Sequence, residues 1–117
     1  MLTSREKLVA KAEKKKRKIE NRLRRKLRKS ALRLVGKEIK KSVRQGSTYV
    51  HTYVSLIGYG DIGFPFVKHT MSEVVSILEN KGFNVTRHER ISTFFDGPEY
   101  VIVIDLTKKP KNRVEVR

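Results

Sequence analysis

Nearly all of the chain's excess charge sits in its first two-fifths. Residues 1–46 hold 19 Lys and Arg against 4 Asp and Glu, whereas residues 47–117 hold 9 against 8. The net charge of +16 is therefore a property of one segment. Such an asymmetry between halves points to an arm for an anionic partner, attached to an ordinary domain. The full length of 117 residues suits one such domain.

The arm reads as helix. It lacks proline, its only glycines are Gly36 and Gly46, and Lys, Arg, Leu and Ala dominate it. Thr3 and Glu6 fit a capping box, with Thr3 as N-cap, and Gly46 fits a C-terminal stop. Apolar residues recur as Leu8, Ala12, Ile19, Leu23, Leu27, Ala31, Val35, Ile39 and Val43, in steps of four from Ile19 onward. Each step of four drifts about 40° around a straight helix, so six steps rotate the stripe by about 240°. One flat face cannot bury all of it. The pattern predicts a break near Ser30 or Gly36, a first helix over roughly 4–29 and a second over roughly 31–45. The second helix would pack on the domain through Leu32, Leu34, Val35, Ile39 and Val43.

The candidate binding residues are Lys14, Lys15, Lys16, Arg17, Lys18, Arg22, Arg24, Arg25, Lys26, Arg28 and Lys29, 11 cations in 16 residues with one acid, Glu20. Like charges at i,i+4 repel, which predicts an arm that is frayed until a polyanion orders it. Nucleic acid, DNA or RNA, is the expected partner, held through phosphates with steep salt dependence. No aromatic residue occurs in 1–46, so base stacking by the arm is not expected. Asn21 is the one side chain among the cations suited to a base edge, too little for sequence readout. Ile19, Leu23 and Leu27 make too thin an apolar face for a membrane surface. Arg17-Lys18-Ile19-Glu20-Asn21-Arg22 echoes a bZIP basic region, but Arg24-Arg25 replaces the alanine pair and no leucine heptads follow.

Residues 47–108 change character. Ser47–Ile57 alternates as a strand, with Val50, Thr52, Val54 and Leu56 on one face and Tyr49, His51, Tyr53 and Ser55 on the other. A glycine-rich loop, Gly58 to Gly63, follows. Thr70-Met71-Ser72-Glu73 fits a second capping box, opening a helix with Met71, Val74, Val75 and Leu78 inward and Gly82 at its end. Phe83–Phe94 and Glu99–Leu106 read as strands joined by a turn at Asp96-Gly97-Pro98. The expected fold class is α+β: a basic helical arm over 1–46, a compact three-stranded β-α-β-β domain over 47–108 and a basic tail over 109–117. The apolar run Tyr100–Ile104 suggests a central strand covered on both faces, or a homo-oligomer or protein-partner interface.

Other chemistries find little support. Without cysteine there is no disulfide, thiolate metal site or cysteine nucleophile. His51, His69 and His88 have no metal-ligand spacing, and no Ser, Asp and His spacing sets up a nucleophile and base, so neither metal, cofactor nor enzymatic activity is expected. Gly58-Tyr59-Gly60-Asp61-Ile62-Gly63 has the spacing of a dinucleotide-binding turn. Pro65 and the Thr70 cap argue against a helix directly after it, and nucleotide binding there is the lesser alternative. Asn84-Val85-Thr86 is a sequon without a secretory signal. With no apolar span of membrane length, a cytoplasmic, nucleoid-associated or virion location is expected.

The phrase Leu78-Glu79-Asn80-Lys81-Gly82-Phe83-Asn84-Val85, within 40–106, resembles small phage-encoded α-β-α-β-β proteins of unassigned function. The resemblance implies a virion component or host-interacting module and carries no functional residue across. The leading expectation is a non-enzymatic nucleic-acid-binding protein gripping phosphates through its basic helix, with a protein-binding module as the alternative.

Overall fold

The computed structural model describes residues 4–57, 59, 64–93 and 97–110, the side chains of Phe64, Pro65 and Thr93 excepted. The element order is α1 (Arg5–Arg44), β1 (Tyr49–Ser55), α2 (Phe64–Asn80), β2 (Asn84–Thr93) and β3 (Gly97–Asp105), an α+β fold. The three strands form one sheet in the order β1-β3-β2. β3 pairs antiparallel with both neighbours, so β1 and β2 run parallel with β3 inserted between them.

α1 is one helix of 40 residues, not two. The expected break at Ser30 or Gly36 is absent because the drifting stripe is not buried throughout. Only Leu27, Ala31 and Val35 are fully buried; Leu8, Ile19 and Val43 stay in solvent. A single helix therefore touches the domain where its stripe faces it and leaves on either side. Nor does like-charge repulsion interrupt 14–29. High-propensity residues carry that segment, and Glu13–Arg17 and Glu20–Arg24 place acids four residues before arginines, the favourable orientation.

The N-cap is Ser4, whose hydroxyl accepts from Lys7 N at 3.4 Å, rather than Thr3, which lies outside the described residues. At the other end Gly46 has φ +76°, Gly46 N donates to Val43 O and Ser47 N donates to Ser42 O, a Schellman stop. α2 ends the same way. Gly82 has φ +97° and Phe83 N donates to Leu78 O.

α2 starts earlier than expected. It opens at Phe64, with Pro65 in the first turn, where a missing N–H leaves no helical bond unmade. Thr70 is therefore no cap; it is buried inside the helix and its hydroxyl donates to Phe66 O at 2.9 Å. Gly97 and Pro98 open β3, while Asp96 lies outside the described residues.

Both helices cover one face of the sheet. Val50, Val54, Val85, Tyr100, Ile102 and Ile104 meet Leu27, Ala31 and Val35 of α1 and Met71, Val74, Val75 and Leu78 of α2 in one core. The compact unit thus includes the C-terminal half of α1 as well as 47–108. β1 alternates as the sequence predicts, Val50, Thr52 and Val54 in, Tyr49, His51, Tyr53 and Ser55 out. β3 is the central strand, buried from Tyr100 to Ile104. On the face away from the helices, Val101 and Val103 are buried between Tyr53 and His51 of β1 and Glu89 and Arg87 of β2.

Gly36 sits in the helix interior with nothing within 4 Å of where a Cβ would go. Gly36→Ala removes backbone freedom from the unfolded chain without a clash. It is expected to stabilise the protein by about 0.5–1 kcal/mol, read as a raised urea midpoint at unchanged slope.

Candidate nucleic-acid interface

Because α1 is one unbroken helix, its cations can be placed around one helical wheel. At about 100° per residue, Lys11, Lys15, Lys18, Arg22, Lys26, Lys29, Arg33, Lys37, Lys40 and Arg44 fall within an arc of about 100°. All are exposed. They follow one another in steps of three or four and form a single ridge about 50 Å long. The buried residues Leu27, Ala31 and Val35 point roughly 160° away. The helix's four acids, Glu6, Glu13, Glu20 and Glu38, all lie more than about 120° from the ridge's midline, on the domain's side. The ridge cations and the acids are thus on opposite sides of one helix. No ridge cation is ion-paired with a described carboxylate.

Burial is what orients the ridge. Core packing of Leu27, Ala31 and Val35 fixes the rotation of α1 about its axis, which turns the cationic side to solvent along the whole length. Every residue from Arg5 to Ile19 is exposed, so beyond the domain the helix presents its full circumference.

Of the residues expected from sequence, Lys15, Lys18, Arg22, Lys26 and Lys29 lie on the ridge. Lys14 and Arg25 flank it, and Lys16 and Arg17 point to other sides of the exposed half. Arg24 and Arg28 stand off the ridge. Both are half-buried and turn toward α2, where Arg28 Nη1 donates to Glu73 Oε2 at 3.0 Å and Arg24 Nη1 lies 3.7 Å from Glu73 Oε1. His69 Nε2 sits 3.4 Å from the same carboxylate. These two arginines clamp α1 to α2 and belong to the fold. Lys11, Arg33, Lys37, Lys40 and Arg44 were not anticipated. Their signal was in the sequence, as cations spaced three or four apart, and the assumed break at Ser30 or Gly36 hid it.

Glu73→Ala tests the clamp. The pair is partly solvated, so its loss should cost on the order of 1 kcal/mol. Replacing Arg24 and Arg28 by alanine should change polyanion affinity by less than about threefold, since neither lies on the ridge. A fall of tenfold or more in a folded variant would contradict the assignment of these arginines to the fold.

The remaining candidates carry less. Gly58, Gly60, Asp61, Ile62 and Gly63 lie outside the described residues. Although α2 does follow the loop directly, the strand beside β1 is the antiparallel β3, whereas a dinucleotide crevice opens at the carboxyl ends of parallel strands. Tyr59 packs on the core beside Lys26, Lys29 and Arg33, and burial raises its hydroxyl pKa. His51 lies on the open sheet face, and His88 Nδ1 is 2.8 Å from the Tyr100 hydroxyl. Burial, then the nearby Glu89 carboxylate, raise the pKa of Tyr100. Among the described residues no three His, Asp or Glu come together as a metal site. Asn84, in the sequon, is buried and its amide donates to Lys109 O at 2.6 Å, which leaves no room for a glycan. No helix among the described residues is long and apolar enough to cross a membrane.

No protein-family model matches this chain, and neither the curated proteins nor the solved structures contain a match.

Proposed function

We propose that this protein is a non-enzymatic nucleic-acid-binding protein that grips the phosphate backbone without sequence specificity through α1. One observation carries the reading: ten exposed cations form a continuous ridge on the side of α1 opposite its buried residues and its acids. Nucleic acid offers the matching feature, a dense and regular line of phosphates whose counterions are released on contact. Apart from its cations themselves the ridge carries no group for reading base edges, so affinity comes mainly from charge and placement. The cell or particle compartment would be one that holds nucleic acid, whether cytoplasm, nucleoid or virion.

The test is binding of the full chain to labelled DNA and RNA between 50 and 200 mM salt. Engagement of six or more phosphates predicts a loss of affinity of roughly 10³-fold or more over that range. Absence of binding at the lowest salt overturns the reading.

A second reading has one observation of its own. Tyr49 and Tyr53 are 48% and 56% exposed on the sheet face that no helix covers, and Ile57 beside them is 68% exposed. Exposed aromatic residues in one place suit a protein contact, either a partner or a second copy. A complex that persists at high salt with nucleic acid removed would favour it.

A further inference from the structure

The form of the ridge bears on which nucleic acid it takes, an inference that rests on the nucleic-acid reading above. Three observations bear on the choice. The ridge runs about 50 Å from Lys11 to Arg44 on one unbroken helix, so it is continuous and already ordered over its length. Its acids are all on the far side, so nothing along it repels a phosphate. α1 contains no aromatic residue from Arg5 to Arg44, and the nearby Tyr59 has its ring packed on the core.

We infer that the ridge takes a duplex laid lengthwise along it, over about 15 base pairs at 3.4 Å per pair, in preference to a single strand. A duplex has a persistence length of about 50 nm and is already straight over this distance. It meets the ridge with both of its strands at no cost in ordering. A single strand is flexible and would have to be held extended. Proteins that do so offset that cost by stacking bases on aromatic side chains, worth about 1–3 kcal/mol per base. α1 has none to offer. The C-terminal half of the ridge, Arg33, Lys37, Lys40 and Arg44, is therefore as much a part of the site as the denser N-terminal half.

The experiment uses the full chain with labelled DNA and RNA duplexes of 8, 15 and 25 base pairs, and single strands of the same lengths. Affinity is expected to rise steeply from 8 to 15 base pairs and then only with the number of available positions. The 15-nucleotide single strands should bind at least about tenfold more weakly than the 15-base-pair duplexes. The ratio between the DNA and RNA duplexes identifies the source. A Lys37→Glu, Lys40→Glu, Arg44→Glu variant, its helicity checked by circular dichroism, should lose at least about tenfold on the 25-base-pair duplex and much less on the 8-base-pair one. Single strands that bind as tightly as duplexes, or affinity that stops growing at 8 base pairs, overturn the duplex inference and leave the nucleic-acid reading standing. Binding of neither form overturns the reading itself.

Discussion

Replacing Lys15, Arg22, Lys26 and Arg33 together by glutamate is expected to abolish nucleic-acid binding and leave the fold intact. The four lie on the ridge, exposed, on the side of α1 away from the core. Each phosphate contact contributes a salt slope of about 0.9, which makes one contact worth roughly tenfold in affinity at 50 mM salt relative to 1 M. Losing four contacts should therefore cost roughly 10⁴-fold or more at 50 mM. Exposed substitutions away from special features change stability by about 0.5 kcal/mol or less each. Here the new acids also relieve repulsion between cations along the helix. Binding assay and thermal melt on the same sample separate the two effects. A variant that melts normally and still binds within threefold of the parent would show that the ridge is not the site.

The second large effect concerns stability. Leu27→Ala is expected to destabilise the protein by about 2–5 kcal/mol. Leu27 is the most N-terminal buried residue of α1 and is fully inaccessible, so truncation leaves a cavity where α1 meets the domain. A three-stranded sheet covered by two helices on one face is a small core, and a domain of this size has little stability to spare. The melting temperature should fall by about 10 °C or more. Leu8→Ala is the matched control: Leu8 is 53% exposed, and its loss should barely register. Equal effects at the two positions would mean that the helix docks along its whole length. The same packing explains why deleting α1 would be a poor probe of binding, since Leu27, Ala31 and Val35 would leave the core with it.

Local chemistry made much of the fold legible. The alternation in Tyr49–Ser55, the double-sided burial of Tyr100–Ile104 and the glycine stops at Gly46 and Gly82 each follow from a short stretch of residues, and each is present. The misreadings came where local patterns compete. Thr70-Met71-Ser72-Glu73 has the letters of a cap, but Pro65 is an equally good first-turn residue and the helix begins there. A stripe buried throughout would require a bend in α1, and exposure of its two ends removes that requirement.

The site divides along the same line. The density of cations in 14–29 drew attention to the helix that carries the ridge. The roles of Arg24 and Arg28 depend on Glu73, 45 residues beyond Arg28, and no spacing rule connects them. The ridge beyond Lys29 depends on helix continuity through Gly36, which a long, well-capped helix with good formers on both sides sustains. Rotation of the ridge to solvent is set by the core, so it emerges only once the packing is known.

The most direct measurement is the salt slope of duplex binding for the full chain beside a Lys26→Gln, Arg33→Gln variant. Each neutralised phosphate contact should lower the slope by about 0.9, so two ridge positions should lower it by nearly 2, with affinity falling alike across sequences. An unchanged slope in a folded variant would contradict the claim that this face of α1 holds the phosphates.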